Sequence, residues 1–387
     1  MTKSISILGS TGSIGLSTLS IVDKKKNYFK IILLAANKNY SSICKQIIKY
    51  KPKYFIISNQ NIYKKVKKKF KKSKIKIYNE FNFKNLVNSD ITITAIPGIA
   101  GLKPTITMVK FSNKILIANK EAIICGWNLL RKEALKNKTK IIPIDSEHFS
   151  ILKLLEHHNI NEINKIYITA SGGPFLHFKH GDFKKIKPSD ALKHPKWKMG
   201  KKITIDSSTL MNKIFELAEA QKLFNLSNNK IKILIHPESL VHAIIQLKNG
   251  LTKFIYHETT MIIPLVNAIF ENNLNINEFY KIKKKNNKKK LIENLRFDEV
   301  SSKVFPTIKL KNKINEFPSS SIIINASNEI LVDQFLRKKI PFLGIYKTIM
   351  KILRDRNYKK YAIRKPKSVK EIIKIDEWAR KNTIEKI

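Results

Sequence analysis

The first 150 residues alternate short apolar runs with polar stretches of helical spacing, and no other feature of the chain narrows its fold as much. The runs fall at residues 4–8, 31–35, 54–57, 91–95, 115–118 and 141–144. Helices are the usual connection between parallel strands, and strands covered on both faces read as continuous apolar runs. A Rossmann-like parallel sheet is therefore expected. The first run ends in Gly9-Ser10-Thr11-Gly12-Ser13-Ile14-Gly15, and residues 16–22 then read as a helix. Glycines at such a turn let the backbone approach a pyrophosphate, which the helix N-terminus stabilises. An ordinary glycine turn has the same composition; its position after the first strand favours a dinucleotide site. The second run closes on Asn37-Lys38-Asn39. A site for NAD places a carboxylate there to accept from the ribose 2′-hydroxyl. With no carboxylate present and Lys38 available to a 2′-phosphate, NADPH is expected.

Past residue 150 the pattern becomes mixed. Strands are expected at 165–169, 232–235 and 252–256, and helices at 208–224 and 261–270, which reads as an α+β catalytic domain. Residues 276–300 are rich in Lys and Asn and read as a linker. Helical spacing at 327–338, 343–354 and 369–381 closes the chain with a small helical domain. The expected division is thus 1–150 for NADPH, 151–275 for catalysis, metal and dimerisation, 276–300 as linker and 301–387 as C-terminal helices.

Seventy-five basic residues against 29 acidic ones give a formal charge of +46. Such an excess draws phosphate backbones. Here it is spread along the chain as lysine, beside abundant Ile and Asn, with no zinc-finger, RNA-binding or basic-zipper pattern, so no nucleic-acid partner is expected. No apolar run approaches the roughly 18–20 residues that span a bilayer, and no secretory leader is recognisable, so no membrane association and a cytoplasmic location are expected. Cys44 and Cys125 lack metal or redox spacing and read as buried thiols.

Chemistry concentrates in three places. Asp145-Ser146-Glu147-His148 follows a strand, and in extended chain the carboxylates at i and i+2 face the same side. Two hard oxygen ligands suit Mg²⁺ or Mn²⁺ rather than zinc. An exposed acidic turn reads the same way, but acids are scarce in this chain and the strand's carboxyl end is where ligands bind open α/β sheets. Ser171-Gly172-Gly173 can present a hydroxyl and backbone N–H groups to an anion, or be a plain tight turn. If Ser208 begins a helix, Asn212, Lys213 and Glu216 share a face; amide, lysine and serine suit a phosphate, and Glu216 could be a third metal carboxylate. Trp197, between lysines and before Gly200, has the character of a mobile lid.

Several motifs occur in one order along the chain: GSTGSIG from Gly9, Asn119-Lys120-Glu121, DSEH from Asp145, SGGPF from Ser171, HPKWKMG from His194 and IDSSTLMNK ending at Lys213. His236-Pro237-Glu238-Ser239 and Asn325-Ala326-Ser327-Asn328-Glu329 follow them. Together they resemble the 1-deoxy-D-xylulose 5-phosphate reductoisomerase family over nearly the whole length. The resemblance implies rearrangement of 1-deoxy-D-xylulose 5-phosphate to a methyl-branched aldehyde and its reduction by NADPH to 2-C-methyl-D-erythritol 4-phosphate, in the non-mevalonate route to isoprenoid precursors. It implies a homodimer and a divalent cation on Asp145, Glu147 and Glu216, which with Lys120 form the catalytic set. Ser171, Ser207, Asn212 and Lys213 would take the phosphate; Ser146, Lys120 and His194 would lie at or near the substrate, and Trp197 would close over it. Cofactor contacts would fall on Thr11, Gly12, Ser13, Ile14, Asn37, Lys38, Asn39, Asn119, Lys120, Glu121 and Gly200.

The chain departs from the family's usual pattern in having Asn37 and Ile214 where glycines are common, and in lacking a Pro-Asp pair and an Arg across residues 258–264. The alternatives are an NADPH-dependent dehydrogenase of another sugar phosphate, which needs no three-carboxylate site, and a basic nucleic-acid-binding protein, which leaves the ordered motifs unexplained.

Overall fold

The computed structural model describes residues 2–83, 85–197, 199–271, 274–280 and 295–387. Seven strands make the first sheet: β1 (Lys3–Leu8), β2 (Phe29–Ala36), β3 (Tyr54–Ile57), β4 (Lys76–Tyr78), β5 (Ser89–Thr94), β6 (Ser112–Ile117) and β7 (Lys140–Pro143). All pair in parallel, in the order β4-β3-β2-β1-β5-β6-β7. The chain builds outward from β1 to one edge and then restarts on β1's other side with β5. The crevice at that reversal, at the carboxyl ends of the strands, is where open α/β sheets take ligands.

Ile5, Ile7, Leu33, Leu34, Phe55, Ile56, Ile93, Ile115 and Leu116 have no accessible surface. Two pairs of buried strand hydroxyls satisfy each other, Ser6 with Ser89 and Thr92 with Ser112, each at 2.6 Å, while the buried Thr94 Oγ1 of β5 finds no partner among the described residues. The covering helices are α1 (Ser13–Lys24), α2 (Tyr40–Tyr50), α3 (Gln60–Lys69), α4 (Leu102–Val109), α5 (Lys120–Asn137) and α6 (Ser146–Leu155). The fold class is the expected one, with the six expected strands of this sheet within three residues of their predicted bounds. The three-residue edge strand β4 carried too little apolar pattern to be read.

A second sheet comprises β8 (Ile163–Ala170), β9 (Ile231–Ile235), β10 (Val241–Leu247), β11 (Thr252–Tyr256) and β12 (Asp298–Glu299), ordered β11-β10-β8-β9-β12. Short α7 (Pro188–Ala191), then α8 (Lys201–Ser208) and α9 (Met211–Leu223), lie between β8 and β9. After β11 comes α10 (Ile262–Phe270), whose Phe270 packs on Tyr28, Phe29 and Phe279. The chain ends in α11 (Ser320–Leu336), α12 (Gly344–Leu353), α13 (Tyr358–Ala362) and α14 (Val369–Glu385).

Two compact units emerge. One holds residues up to Ala122, Gly126–Phe149 and the stretch beginning at Thr260; the other holds Ile123–Cys125, Ser150–Thr259 and the C-terminal helices. In the second unit Arg380 of α14 pairs with Asp376 at 2.5 Å and with Glu329 of α11. Most of the expected linker, residues 281–294, lies outside the described residues. Among the described residues no helix is long and apolar enough to cross a membrane.

Candidate active site

In the first unit, β1 ends at Gly9, whose φ of +85° belongs to the region glycine favours. Gly9 and Ser10 N–H groups both donate to the Ala35 carbonyl at 2.9 Å, tying the turn to β2. A Cβ at Gly15 would run into Gly9 O and the Ser10 backbone, so glycine is required for the helix to start this close to the strand. Helix α1 begins at Ser13 with Gly12 as its N-cap, no side chain capping it and no acid in its first turn. Thr11 and Ile14 are part-exposed, Gly12 and Ser13 exposed. The helix dipole and its leading N–H groups therefore meet solvent where an anion can bind.

At the end of β2, Asn37, Lys38 and Asn39 are all exposed, and Asn39 caps α2 by accepting from Ser42 N at 3.1 Å. Asn37 does not adopt a left-handed backbone, so the turn never calls on the tolerance of asparagine for that region. Asn119 is the N-cap of α5. Its Oδ1 accepts from Ala122 N at 2.5 Å, and its Nδ2 donates to Gly98 O at 3.0 Å and to Ile96 O. These bonds use the side chain to fasten the β5–α4 connection. Beside it, Lys120 Nζ lies 3.0 Å from Asp145 Oδ2, with the lysine side chain 8% exposed and the aspartate 22%. Glu121, next in the first turn of α5, is buried.

One expectation about Asp145 is corrected. The segment after β7 is not extended: α6 begins at Ser146, so Glu147 sits in its first turn and Asp145 immediately precedes it. Phe149 N donates to Asp145 O at 2.8 Å, as a helix start requires. Carboxylates in this first turn are favoured by the helix dipole, which competes with extension. Ser146 Oγ donates to Glu147 Oε2 at 2.7 Å.

In the second unit, residues 208–224 form not one helix but the end of α8 and the whole of α9. Leu210 separates them with a left-handed φ of 65°. No glycine or proline announces that break. Asn212 and Glu216 still stand one turn apart, because both lie on α9. Lys213 Nζ is 2.6 Å from Glu216 Oε2, and Asn212 Nδ2 donates to Glu216 Oε1. Residues 204–220 are buried with one exception, Ser207, which stays part-exposed. Ile214 has no accessible surface and packs in the core.

The Ser171 turn closes against this corner. Gly173 has a φ of 61°, and a Cβ there would meet Ser208 Cα at 3.3 Å and Ser207 O at 3.4 Å. His194 Nδ1 accepts from the N–H groups of Lys196 at 3.1 Å and Trp197 at 2.9 Å. Those two donors place the ring proton on Nε2, which donates to Ser171 Oγ at 3.2 Å. Ser171 Oγ also accepts from Gly173 N at 3.1 Å. Both lone pairs are thus used, and the hydroxyl proton is what Ser171 can offer an anion. Burial, then the Lys213 charge, pushes the His194 imidazole down to about 4, so it is neutral at neutral pH. Trp197 meets His242 edge-on at 6.1 Å, and His242 stacks on His257 at 3.9 Å. Gly200 is the N-cap of α8 with open space around it.

Family models of 1-deoxy-D-xylulose 5-phosphate reductoisomerase match residues 5–126, 141–224 and 258–382, the last two being models of its C-terminal domains. The chain belongs to the 1-deoxy-D-xylulose 5-phosphate reductoisomerase family. The enzyme of that name from Pelagibacter ubique is 44% identical over 382 residues, 97% of each chain. That from Wolbachia pipientis of Culex pipiens is 37% identical, covering 97% of this chain and 95% of its own. The reductoisomerase of Zymomonas mobilis in complex with NADPH superimposes with a TM-score of 0.85 at 28% identity, over 100% and 99% of the two chains. A reductoisomerase bound to NADPH, fosmidomycin and magnesium gives 0.89 at 28% identity, over 99% and 98%.

Within the reductoisomerase fold, each unit gathers its own share of the residues singled out from sequence. Ser171, His194, Ser207, Asn212, Lys213 and Glu216 belong to the second; Thr11–Ile14, Asn37–Asn39, Asn119–Glu121 and Asp145–Glu147 belong to the first. Lys198 of the expected lid lies outside the described residues. The His242–His257 stack was passed over, since two histidines 15 residues apart in different segments carry no recognisable spacing.

Proposed function

We propose that the chain is an NADPH- and divalent-metal-dependent reductoisomerase converting 1-deoxy-D-xylulose 5-phosphate to 2-C-methyl-D-erythritol 4-phosphate, a step toward isoprenoid precursors. The observation that carries this reading beyond family membership is the α8–α9 corner. There an amide, an ammonium and a carboxylate are locked together beside a serine whose hydroxyl proton is available.

Ser171, Ser207, Asn212 and Lys213 are the proposed phosphate ligands. Lys213 can turn from Glu216 to a phosphate oxygen without leaving its helix position. Neutral His194 holds Ser171 in the donor orientation and takes no net charge to the anion. Asp145, Glu147 and Glu216 are the proposed metal ligands; an all-carboxylate donor set fits Mg²⁺ or Mn²⁺ and not a softer ion. When bound, the cation supplies Lewis acidity to adjacent carbonyl and hydroxyl oxygens, and NADPH supplies the hydride. Lys120, paired with Asp145, orients that carboxylate and stands beside the substrate with Ser146. The uncapped start of α1 and Lys38 suit the pyrophosphate and 2′-phosphate of NADPH. Glu121, Asn119 and Gly200 complete the proposed cofactor surroundings, and Trp197 covers the substrate and excludes water.

The same reading includes the sequence-based division of labour, with residues 1–150 for NADPH and 151–275 for catalysis, and a homodimer working in the cytoplasm. Edge strand β11 supports dimerisation, since among the described residues it pairs on one side only, with Phe254 of the strand and Leu251 just before it exposed. The test is NADPH oxidation with 1-deoxy-D-xylulose 5-phosphate, with Mg²⁺ or Mn²⁺ and then with the metal chelated. Metal-dependent consumption yielding the branched product supports the reading; no turnover by folded, NADPH-binding protein refutes it.

A further inference from the structure

The residue preceding Ser207 is a buried carboxylate that the proposed chemistry leaves without a task. Asp206 lies in the last turn of α8 and is 1% exposed. Its Oδ2 is 2.7 Å from Lys202 Nζ, one turn back on the same helix. Its Oδ1 accepts at 2.8 Å from Asn328 Nδ2 of α11, 122 residues away in sequence. A carboxylate only accepts, so the Asn328 amide is fixed with its nitrogen toward Asp206. Asn328 Oδ1 is then left buried and without a hydrogen-bond partner among the described residues, on a side chain with no accessible surface. A buried orphan acceptor is unfavourable, and an apolar residue in the interior of α11 would avoid it. What the amide contributes in return is the bond to Asp206.

A second strut meets the same corner. Thr307 Oγ1 donates to Thr209 O. Thr209 Oγ1 donates to Ile205 O at 3.1 Å and Asp206 O at 3.2 Å, and accepts from Met211 N at 3.3 Å. Between them these bonds fix the reversal at Leu210 that brings Ser207 and the Asn212-Lys213 pair toward one another.

We infer that Asp206 and Asn328 are positioning residues for the phosphate end of the substrate: α11 clamps the α8–α9 corner through this bond and sets the spacing of the anion's ligands. The inference rests on the phosphate reading above. Neither side chain touches the anion itself, so their effect should be on substrate affinity rather than on the chemical step.

The test is steady-state kinetics on Asn328→Ala, Asp206→Asn and the double variant, with Lys213→Ala alongside. Expected are KM values for 1-deoxy-D-xylulose 5-phosphate raised about ten-fold in either single variant, kcat within about two-fold of the parent, unchanged KM for NADPH, and a double variant no worse than the weaker single one. Should Asn328→Ala not fold, Asp206→Asn keeps the shape of the side chain and is judged by the same split. A parental KM in the folded variants, while Lys213→Ala raises it, overturns the inference and leaves the phosphate reading standing. A loss spread equally over NADPH and substrate overturns it too, because that is general damage. If Lys213→Ala also leaves KM unchanged, the phosphate reading fails and the inference with it.

Discussion

His194 is where a single proton decides most. The two backbone donors to Nδ1 require the neutral ring, whereas Nε2 can donate to Ser171 in either state, and burial beside Lys213 disfavours the charge. The unfolded chain takes up this proton as pH falls through about 6.5, the folded chain only near 4. Stability associated with His194 is therefore full above the unfolded value and is lost as pH falls across that window. Urea midpoints measured from pH 7 to pH 4.5 should decline less steeply in His194→Gln than in the parent; parallel declines would remove His194 from the account. At the same scale, Glu216→Gln should abolish metal-dependent turnover and spare NADPH binding, checked by titration calorimetry of both ligands. Lys213→Ala should raise the KM for the sugar phosphate by roughly ten- to a hundred-fold, the range expected when a buried charged partner of an anion is lost. A fall in kcat alone would contradict its phosphate role.

Among the elements, what could be read in advance was governed by length and by punctuation. Strands β1, β2, β3, β5, β6 and β7 announced themselves as uninterrupted apolar runs, because each is covered on both faces. Strand β4 has three residues and β12 two, and neither can carry a pattern; β10, seven residues long, was missed because the buried His242 and the part-exposed Gln246 interrupt its apolar run. The break between α8 and α9 falls on Leu210, a buried leucine in left-handed backbone, where a glycine would have been legible. The carboxylates of Asp145 and Glu147 were singled out on their chemistry, but their local structure was misread, since a helix start after a strand is written in capping bonds and not in hydrophobic period. Asp206 and Asn328 could not be paired from sequence at all: 122 residues separate them. Left-handed lysines also close α2 and α5, at Lys51 (φ 42°) and Lys138 (φ 55°), both exposed. Relief of that strain outweighs the extra freedom glycine gives the unfolded chain, so Lys51→Gly and Lys138→Gly should each stabilise by about 0.5–1 kcal/mol, measured as a shift in denaturation midpoint.

Across the whole molecule, the charge of +46 is a burden the fold must tolerate. Like charges spread over a surface repel one another, and salt screens them over roughly 8–10 Å at physiological ionic strength. Raising NaCl from about 20 mM to about 200 mM should increase Tm by several degrees, followed by differential scanning calorimetry; a flat or falling Tm would mean that specific ion pairs outweigh the general repulsion. The two sides of the proposed phosphate site differ in composition and in the bonds that hold them. From Lys201 to Leu223 there is neither glycine nor proline, and the corner within that stretch is clamped by Asp206, Thr209 and Thr307. The approach to it, from His194 to Gly200, contains Pro195 and ends at a glycine with open space around it. In calorimetric terms, an isolated phosphate or phosphonate fragment should bind with little heat-capacity change, because its proposed ligands stand on a clamped corner and only the Lys213 side chain must turn to it. If Trp197 covers the substrate as proposed, the carbon skeleton of the full substrate should carry nearly all of the negative ΔCp.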